Sequence, residues 1–451
     1  MVSVWAKNSL SRKSPKKSGY IAAYRAGYLP KERQELELKL KEGDIRGLVS
    51  TNALELGIDI GSLDAVIMTG YPGTMMSVWQ QAGRAGRSVS KALAILIAMQ
   101  NPLDQFFIRH PEEFFSRPHE HAIIDTKNPY ILSGQLLCAA SELPIRPESD
   151  LRWFGEDITR YLDDLQENGL VAGTPRGYVY TGLKRAAELV SLSQISEEWT
   201  VEAKNRVIET LDNRQACREA HPGAVLIHQG ERYLISYWDF DRHRIIVDRQ
   251  DPGYYTRVNQ QTGIDIRERL MSRETGSGTL CLGRVRVSEL YTGYRRLIDE
   301  KIISTESLSL EPITFETVSV WIEFSDKGMS ALPSGCDVGG SLHGAEHALI
   351  AMMPYHVLCD RWDLGGLSSA SSAQVKGRAV IFIYDGYEGG IGLSERAYNV
   401  YEELCQSAEK MVRECRCKDG CPACIYSPKC GNDNQPLDKK GCIALLKHIC
   451  G

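Results

Sequence analysis

Ser50-Thr-Asn-Ala-Leu-Glu-Leu-Gly-Ile-Asp-Ile-Gly61 and Gln80-Gln-Ala-Gly-Arg-Ala-Gly-Arg87 are the two stretches on which the reading of this chain turns. Each follows a strand-like run or begins a helix-like one, which is where an open α/β sheet places its ligands. Arg84 and Arg87 are three residues apart, so on a helix they face one way. A guanidinium stays charged and grips phosphate oxygens at two points, while Gly83 and Gly86 let a phosphate or another backbone come close. Taken singly, the same residues also describe a solvated helix face with turn glycines.

Outward from these segments the pattern alternates between β and α. Residues 43–50 (GDIRGLVS), 64–69 (DAVIMT) and 93–99 read as strands. A helix is expected from Pro30, as an N1 proline, to Gly43, with Leu36 and Leu40 one turn apart. Such alternation predicts a parallel sheet flanked by helices. The formal charge of the 451-residue chain is −5, yet residues 1–117 hold 16 Lys and Arg against 11 Asp and Glu, a local excess that suits a phosphate backbone. The longest apolar run, 92–99, has eight residues against the roughly 20 that a bilayer requires. Basic residues near the N-terminus are followed by no apolar stretch, so a cytoplasmic chain without membrane contact is expected.

Together the two opening stretches resemble motifs V and VI of superfamily 2 helicases, in the second RecA-like lobe. The resemblance implies that Arg84 and Arg87 are arginine fingers acting on the γ-phosphate of ATP bound with Mg2+. It implies that Gln80, Gly57 and Asp59 face the nucleotide and that Thr51 touches the nucleic-acid backbone. Residues 24–30 (YRAGYLP) resemble the segment that follows motif IV, whereas residues 1–19 do not read as the strand that opens such a lobe. No GxxxxGK[ST] and no strand ending in a Walker B sequence occurs. A C-terminal piece of a longer helicase is therefore expected, with the rest of the ATP site on a RecA lobe 1 supplied in cis or trans.

Farther along, helices at 130–143 and 158–165 precede two short strands, 169–173 and 177–182, the pattern of a winged helix with Arg176 at its tip. Residues 223–258 carry short strand-like runs that read as a small β-barrel-like module. Its aromatics Tyr233, Tyr237, Trp238, Phe240, Tyr254 and Tyr255 either stack on unpaired bases or fill its core.

Eight of the 13 cysteines fall in the last 47 residues, which reads as metal binding rather than a disulfide framework. Cys417, Cys421, Cys424 and Cys430 lie within 14 residues, a set of four thiolates suited to a closed structural Zn2+ site, with an iron-sulfur cluster as the alternative. Cys415 is close enough to substitute for Cys417. His343 and His347, one helical turn apart, form with Asp360, Asp363 and Asp385 a candidate catalytic metal site. Without an HExxH pattern they read more simply as structural histidines.

Residues 343–350 (HGAEHALI), 359–366 (CDRWDLGG), 384–395 (YDGYEGGIGLSE) and the cysteine knuckle resemble the DUF1998 or MrfA zinc-binding domain that ends a group of DEAD/DEAH-type DNA helicases, the mitomycin repair factor A group. The expected architecture is α/β and multidomain: RecA-like lobe 2 at 1–117, a winged helix at 118–190, a linker helix and β-barrel-like module at 191–310, and an α+β zinc-binding domain at 311–451. The resemblance implies an ATP-dependent 3′-to-5′ DNA helicase in DNA repair, acting on single-stranded DNA, with a nuclease as a further partner. The rival readings are a non-enzymatic DNA-binding fragment and a metal-dependent hydrolase centred on His343, His347 and Asp385.

Overall fold

A computed structural model describes residues 19–24, 30–51, 54–55, 63–86, 91–190, 198–228, 231–299 and 301–450. The first unit is built from parallel strand pairs, as the alternating pattern predicts. Strand β1 (Ile21–Tyr24) pairs with β2 (Gly47–Ser50) across helix α1 (Pro30–Glu42), which Gly43 ends in the left-handed region at φ 83°. Strand β3 (Ala65–Thr69) pairs in parallel with β4 (Leu93–Ile97), separated by α2 (Met75–Ala82). Buried Asp104, on α3 (Pro102–Arg109), ties the ends of β3 and β4 together. Its carboxylate accepts the N–H of Tyr71 at 3.0 Å and that of Met99 at 2.5 Å.

Helix α4 (Pro111–Ser116) leads into the winged helix, and this is richer than expected. Between α5 (Pro129–Glu142) and α7 (Ile158–Glu167) lies a further helix, α6 (Pro147–Phe154), and Ile145 bridges to Tyr178 of the wing. Strands β5 (Val171–Thr174) and β6 (Gly177–Tyr180) form the wing, and Leu136, Ile158 and Leu162 are the fully buried centre. Helix α6 escapes a reading by apolar periodicity because none of its residues is buried.

The next strands form a sheet with two edges rather than a barrel. They are β7 (Glu198–Ala203), β8 (Arg206–Asp212), β9 (Val225–His228), β10 (Glu231–Asp239) and β11 (Arg244–Arg249), in the order β8-β7-β11-β10-β9. Helix α8 (Asn213–Glu219) caps one face, its Asp212 and Gln215 forming a reciprocal capping box. Trp199 and Trp238 fill the core, and the Trp238 indole donates to Ala220 O at 2.7 Å. Of the aromatics considered for base stacking, Trp238 is thus a core residue, whereas Tyr237 and Phe240 are exposed.

Strand pairing carries the C-terminal sheet back to Tyr255, so the expected boundary at residue 310 divides a single sheet. Two 21-residue strands, β12 (Tyr255–Thr275) and β13 (Gly278–Ile298), form a hairpin about 70 Å long. With β14 (Lys301–Ser307), β15 (Ile313–Phe324), β16 (Leu364–Ser372) and β17 (Arg378–Asp385) they make six strands, ordered β12-β13-β15-β17-β16 with β14 on β13. Three breaks of register in β12–β13 interrupt the alternation that would mark long strands in a sequence. The hairpin is rich in arginine but not freely basic, since Arg269 pairs with Glu323 and Arg286 with Glu316.

After a short helix, α9 (Asp326–Met329), the buried helix α10 (Val338–His356) crosses one face of this sheet with α11 (Leu393–Asn399), α12 (Tyr401–Glu414) and α13 (Lys439–Cys450). Met75, Leu103, Phe106 and Phe107 of the first unit belong to the same core. Around it, Tyr355 donates to Glu113 at 2.7 Å and the Arg117 guanidinium sits 3.6 Å from the Tyr355 ring centre. The first unit and the C-terminal domain therefore share one apolar interior.

Candidate functional site

Helix α2 begins at Thr74, whose hydroxyl accepts the Ser77 N–H at 3.0 Å, and ends at Gly83, whose N–H reaches Trp79 O at 2.8 Å. Beyond Gly83 the chain turns. Gly86 takes φ 78° and its N–H donates to Leu63 O at 3.1 Å. Arg84 thus stands after the helix and not on it, which corrects the expectation of a helical face bearing arginines: two glycines in four residues end the helix before its next turn. The half-buried Arg84 guanidinium donates to the Glu55 carbonyl.

Glu55 was given no role by sequence reasoning, yet it joins the two opening stretches. Its carboxylate accepts from Ser77 Oγ at 2.7 Å and from Gln81 Nε2 at 3.1 Å. Thr51 follows β2 directly and is exposed, and Gln80 is half-buried on α2. Gly57, Asp59 and Arg87 lie outside the described residues. An acid inside STNALELGIDIG facing a polar helix was the signal available for Glu55, and only tertiary pairing shows its partners.

The second centre gathers Cys415, Cys417, Cys421 and Cys424. Their sulfurs stand 3.6 Å (415–417), 3.5 Å (415–421), 3.5 Å (417–424) and 3.8 Å (421–424) apart. Four thiolates at about 2.3 Å around one tetrahedral ion have edges of about 3.8 Å. The thiols therefore already outline the polyhedron of a single ion, with no room for a cluster of several irons. Burial raises the Cys415 thiol, but hydrogen bonds from the Cys417 N–H and the neighbouring thiols outweigh it and bring the pKa down to about 7. Lys439, buried, donates to the carbonyls of Cys415 and Cys417, both at 2.7 Å, setting a cation beside the thiolates.

Cys430, expected as the fourth ligand, is elsewhere, and Cys415 takes its place. The Cys430 sulfur lies 3.4 Å from His343 Nε2, in a group with His347. The reason is the turn at Cys421–Cys424, where the N–H groups of Cys424 and Tyr426 both close on Cys421 O and direct the chain away after Ile425. Asp385 does not join the histidines. Both its oxygens are taken up by the 391–394 loop: the N–H groups of Ile391 (2.7 Å), Gly392 (3.0 Å), Leu393 (3.2 Å) and Ser394 (2.8 Å), and the Ser394 hydroxyl (2.6 Å). Asp360 and Asp363 cap the short helix between them. The constellation considered for a hydrolase is therefore not assembled.

Three family models match the chain: a helicase conserved C-terminal domain over residues 1–89, the winged helix domain of ATP-dependent helicase HRQ1 over 124–192, and the MrfA Zn-binding domain over 345–425. The ATP-dependent helicase YprA of Bacillus subtilis is 37% identical over 90% of this chain and 54% of its own length. The ATP-dependent helicase hrq1 of Schizosaccharomyces pombe is 31% identical over 95% of this chain and 42% of its own. A crystal structure of the DUF1998 helicase MrfA bound to DNA superposes with a TM-score of 0.62 at 33% identity, covering 98% of this chain and 59% of that one. The chain is homologous to the Hrq1, YprA and MrfA helicases. It spans about half the length of these relatives.

Against these helicases the two centres take their places. The match to the helicase C-terminal domain contains Thr51, Glu55, Gln80 and Arg84, which border or stitch the two opening stretches. The match to the MrfA Zn-binding domain contains all four clustered cysteines and stops short of Cys430, in agreement with the geometry. Between them, Asn128 at the head of the HRQ1-type winged helix caps α5 and donates to the carbonyls of Glu388 (2.7 Å) and Gly390 (2.6 Å) in the C-terminal domain. Among the described residues no helix is long and apolar enough to cross a membrane.

Proposed function

We propose that this chain is the lobe 2 and C-terminal part of an ATP-dependent DNA helicase of the DNA-repair type. Arg84 and Arg87 complete an ATP–Mg2+ site held mainly by a RecA-like lobe 1, in the same polypeptide or a separate one. Closing of the interlobe cleft on ATP aligns the guanidiniums with the γ-phosphate, and hydrolysis relaxes it. Thr51, exposed at the end of β2, contacts a backbone phosphate of single-stranded DNA, so that each closure shifts the strand in a 3′-to-5′ direction. Zn2+ held by Cys415, Cys417, Cys421 and Cys424 pins the C-terminal domain against which lobe 2 is packed, giving the motor a rigid support.

The observation that carries this reading is the stitching of the two motifs by Glu55, with Arg84 at the turn that follows α2. It is tested by DNA-stimulated ATP hydrolysis in protein that includes lobe 1, or in this chain mixed with a lobe 1 polypeptide. Arg84→Ala or Arg87→Ala should lower kcat by about 10³-fold. Full activity in the Arg87→Ala protein would reject the arginine-finger assignment. Binding to single-stranded DNA should weaken steeply with salt, as counterion release requires; binding indifferent to salt would reject a phosphate-reading surface.

A further inference from the structure

Apart from the four cysteines, a second group of soft ligands converges under helix α10. His343 and His347 lie one turn apart on it, with ring centres 4.3 Å from each other, and Cys430 approaches from the segment before α13. One ligand atom from each lies within 4.8 Å of the other two. We propose that His343, His347 and Cys430 hold a second transition-metal ion of the zinc class, each histidine through Nε2 and the cysteine through Sγ.

The hydrogen bonds around the group fix its chemistry. His343 Nδ1 lies 2.9 Å from Pro436 O and His347 Nδ1 2.7 Å from Ile425 O. A carbonyl can only accept, so both Nδ1 atoms carry the proton and both Nε2 atoms present lone pairs. This is the arrangement by which metal-binding histidines are oriented. The Asn434 N–H donates to Cys430 Sγ at 3.2 Å and holds the sulfur in place beside the histidines. For a tetrahedral ion with about 2.05 Å to nitrogen and about 2.3 Å to sulfur, the N···S edge is about 3.6 Å, and His343 Nε2 to Cys430 Sγ measures 3.4 Å.

Two imidazoles and one thiolate select a borderline-soft ion over Mg2+ or Ca2+, which take oxygen. Three protein ligands leave the fourth position to water, unlike the closed four-cysteine centre. Such an ion would clamp α10 to the 425–436 segment, which Lys429 anchors from its other side through the carbonyls of Arg361 (3.0 Å) and Leu364 (2.5 Å).

The test is metal content per chain by elemental analysis, with zinc-edge X-ray absorption on the wild-type protein. Two ions per chain are expected, falling to one in Cys430→Ser and to one in Cys421→Ser, with nitrogen as well as sulfur in the wild-type coordination shell. His343→Gln, at a partly exposed ring, replaces Cys430→Ser if that variant does not fold. A single ion per chain with an all-sulfur shell would overturn the proposal, as would two ions retained in Cys430→Ser. Because the absorption measurement needs no variant, it decides the matter even if every substitution unfolds the domain.

Discussion

Asp385 is where the metal-hydrolase reading and a purely architectural one diverge most sharply. The carboxylate is fully buried, and it accepts four consecutive backbone N–H groups and one hydroxyl, closing Ile391–Ser394 over the end of β17 and starting α11. In Asp385→Ala those four amides lose their acceptor in a place water does not reach. An unsatisfied buried donor costs about 1–3 kcal/mol, so even with relaxation the loop should lose about 4 kcal/mol of local stability. At 1.4 kcal/mol per factor of ten this is a roughly 10³-fold loss of amide protection across 391–394, read by hydrogen–deuterium exchange. Asp385→Asn keeps one acceptor and turns the other into a donor that faces donors, so an intermediate loss of about 10²-fold is expected. Metal content should be unchanged in both. Loss of protection below tenfold in Asp385→Ala would refute the architectural account, and loss of a metal ion with the loop intact would restore Asp385 as a ligand.

Further outcomes follow from the same geometry. Asn128→Ala removes the α5 cap and two bonds to the 388–390 carbonyls, and should loosen the winged helix from the C-terminal domain by about 2–3 kcal/mol, read as faster proteolysis near residues 118–128 with zinc retained. Glu55→Ala removes the bonds to Ser77 and Gln81 and should cost about 1–2 kcal/mol, seen as faster amide exchange in both opening motifs; exchange confined to one of them would contradict the stitching. His221 is buried against the Tyr294 ring, and desolvation lowers its pKa from 6.5 to about 4, partly opposed by its bond to Pro222 O. The unfolded chain binds this proton near pH 6.5 and the folded one only near 4, so its contribution is complete above 6.5 and fades as pH falls toward 4. The loss is at most about 3 kcal/mol. Urea unfolding of His221→Gln beside wild type across that window should show a shallower acid loss, and equal slopes would remove His221 as the cause.

The local elements were legible because each is announced by residues that act locally. Pro30 and Gly43 bracket α1, and the apolar runs at 65–69 and 93–97 form the parallel pair β3–β4. The wing was legible through Gly177, which adopts φ 121° just ahead of Tyr178, the residue that bridges to Ile145. What the sequence concealed depends on partners distant along the chain. The long hairpin has no strand reading in the sequence because its register slips at three places and much of β12 is exposed and charged. Its membership in the C-terminal sheet rests on β13 pairing with β15, which no local pattern encodes.

The clustered cysteines show the same division at the scale of single side chains. Cys417, Cys421 and Cys424 are within seven residues of one another, and their association follows from a turn that closes on Cys421 O. The fourth position is decided differently. Cys415 stands at the C-cap of α12, where the helix end aims its sulfur inward, whereas Cys430 lies beyond a segment that α10 draws away through the bond from His347 to Ile425 O. Spacing ranks the two cysteines almost equally, since both are near the other three. The choice rests on the turn that closes on Cys421 O together with the His347 contact to Ile425 O, from a helix about 80 residues earlier in the chain, which leave the Cys430 sulfur beside His343 rather than among the other three.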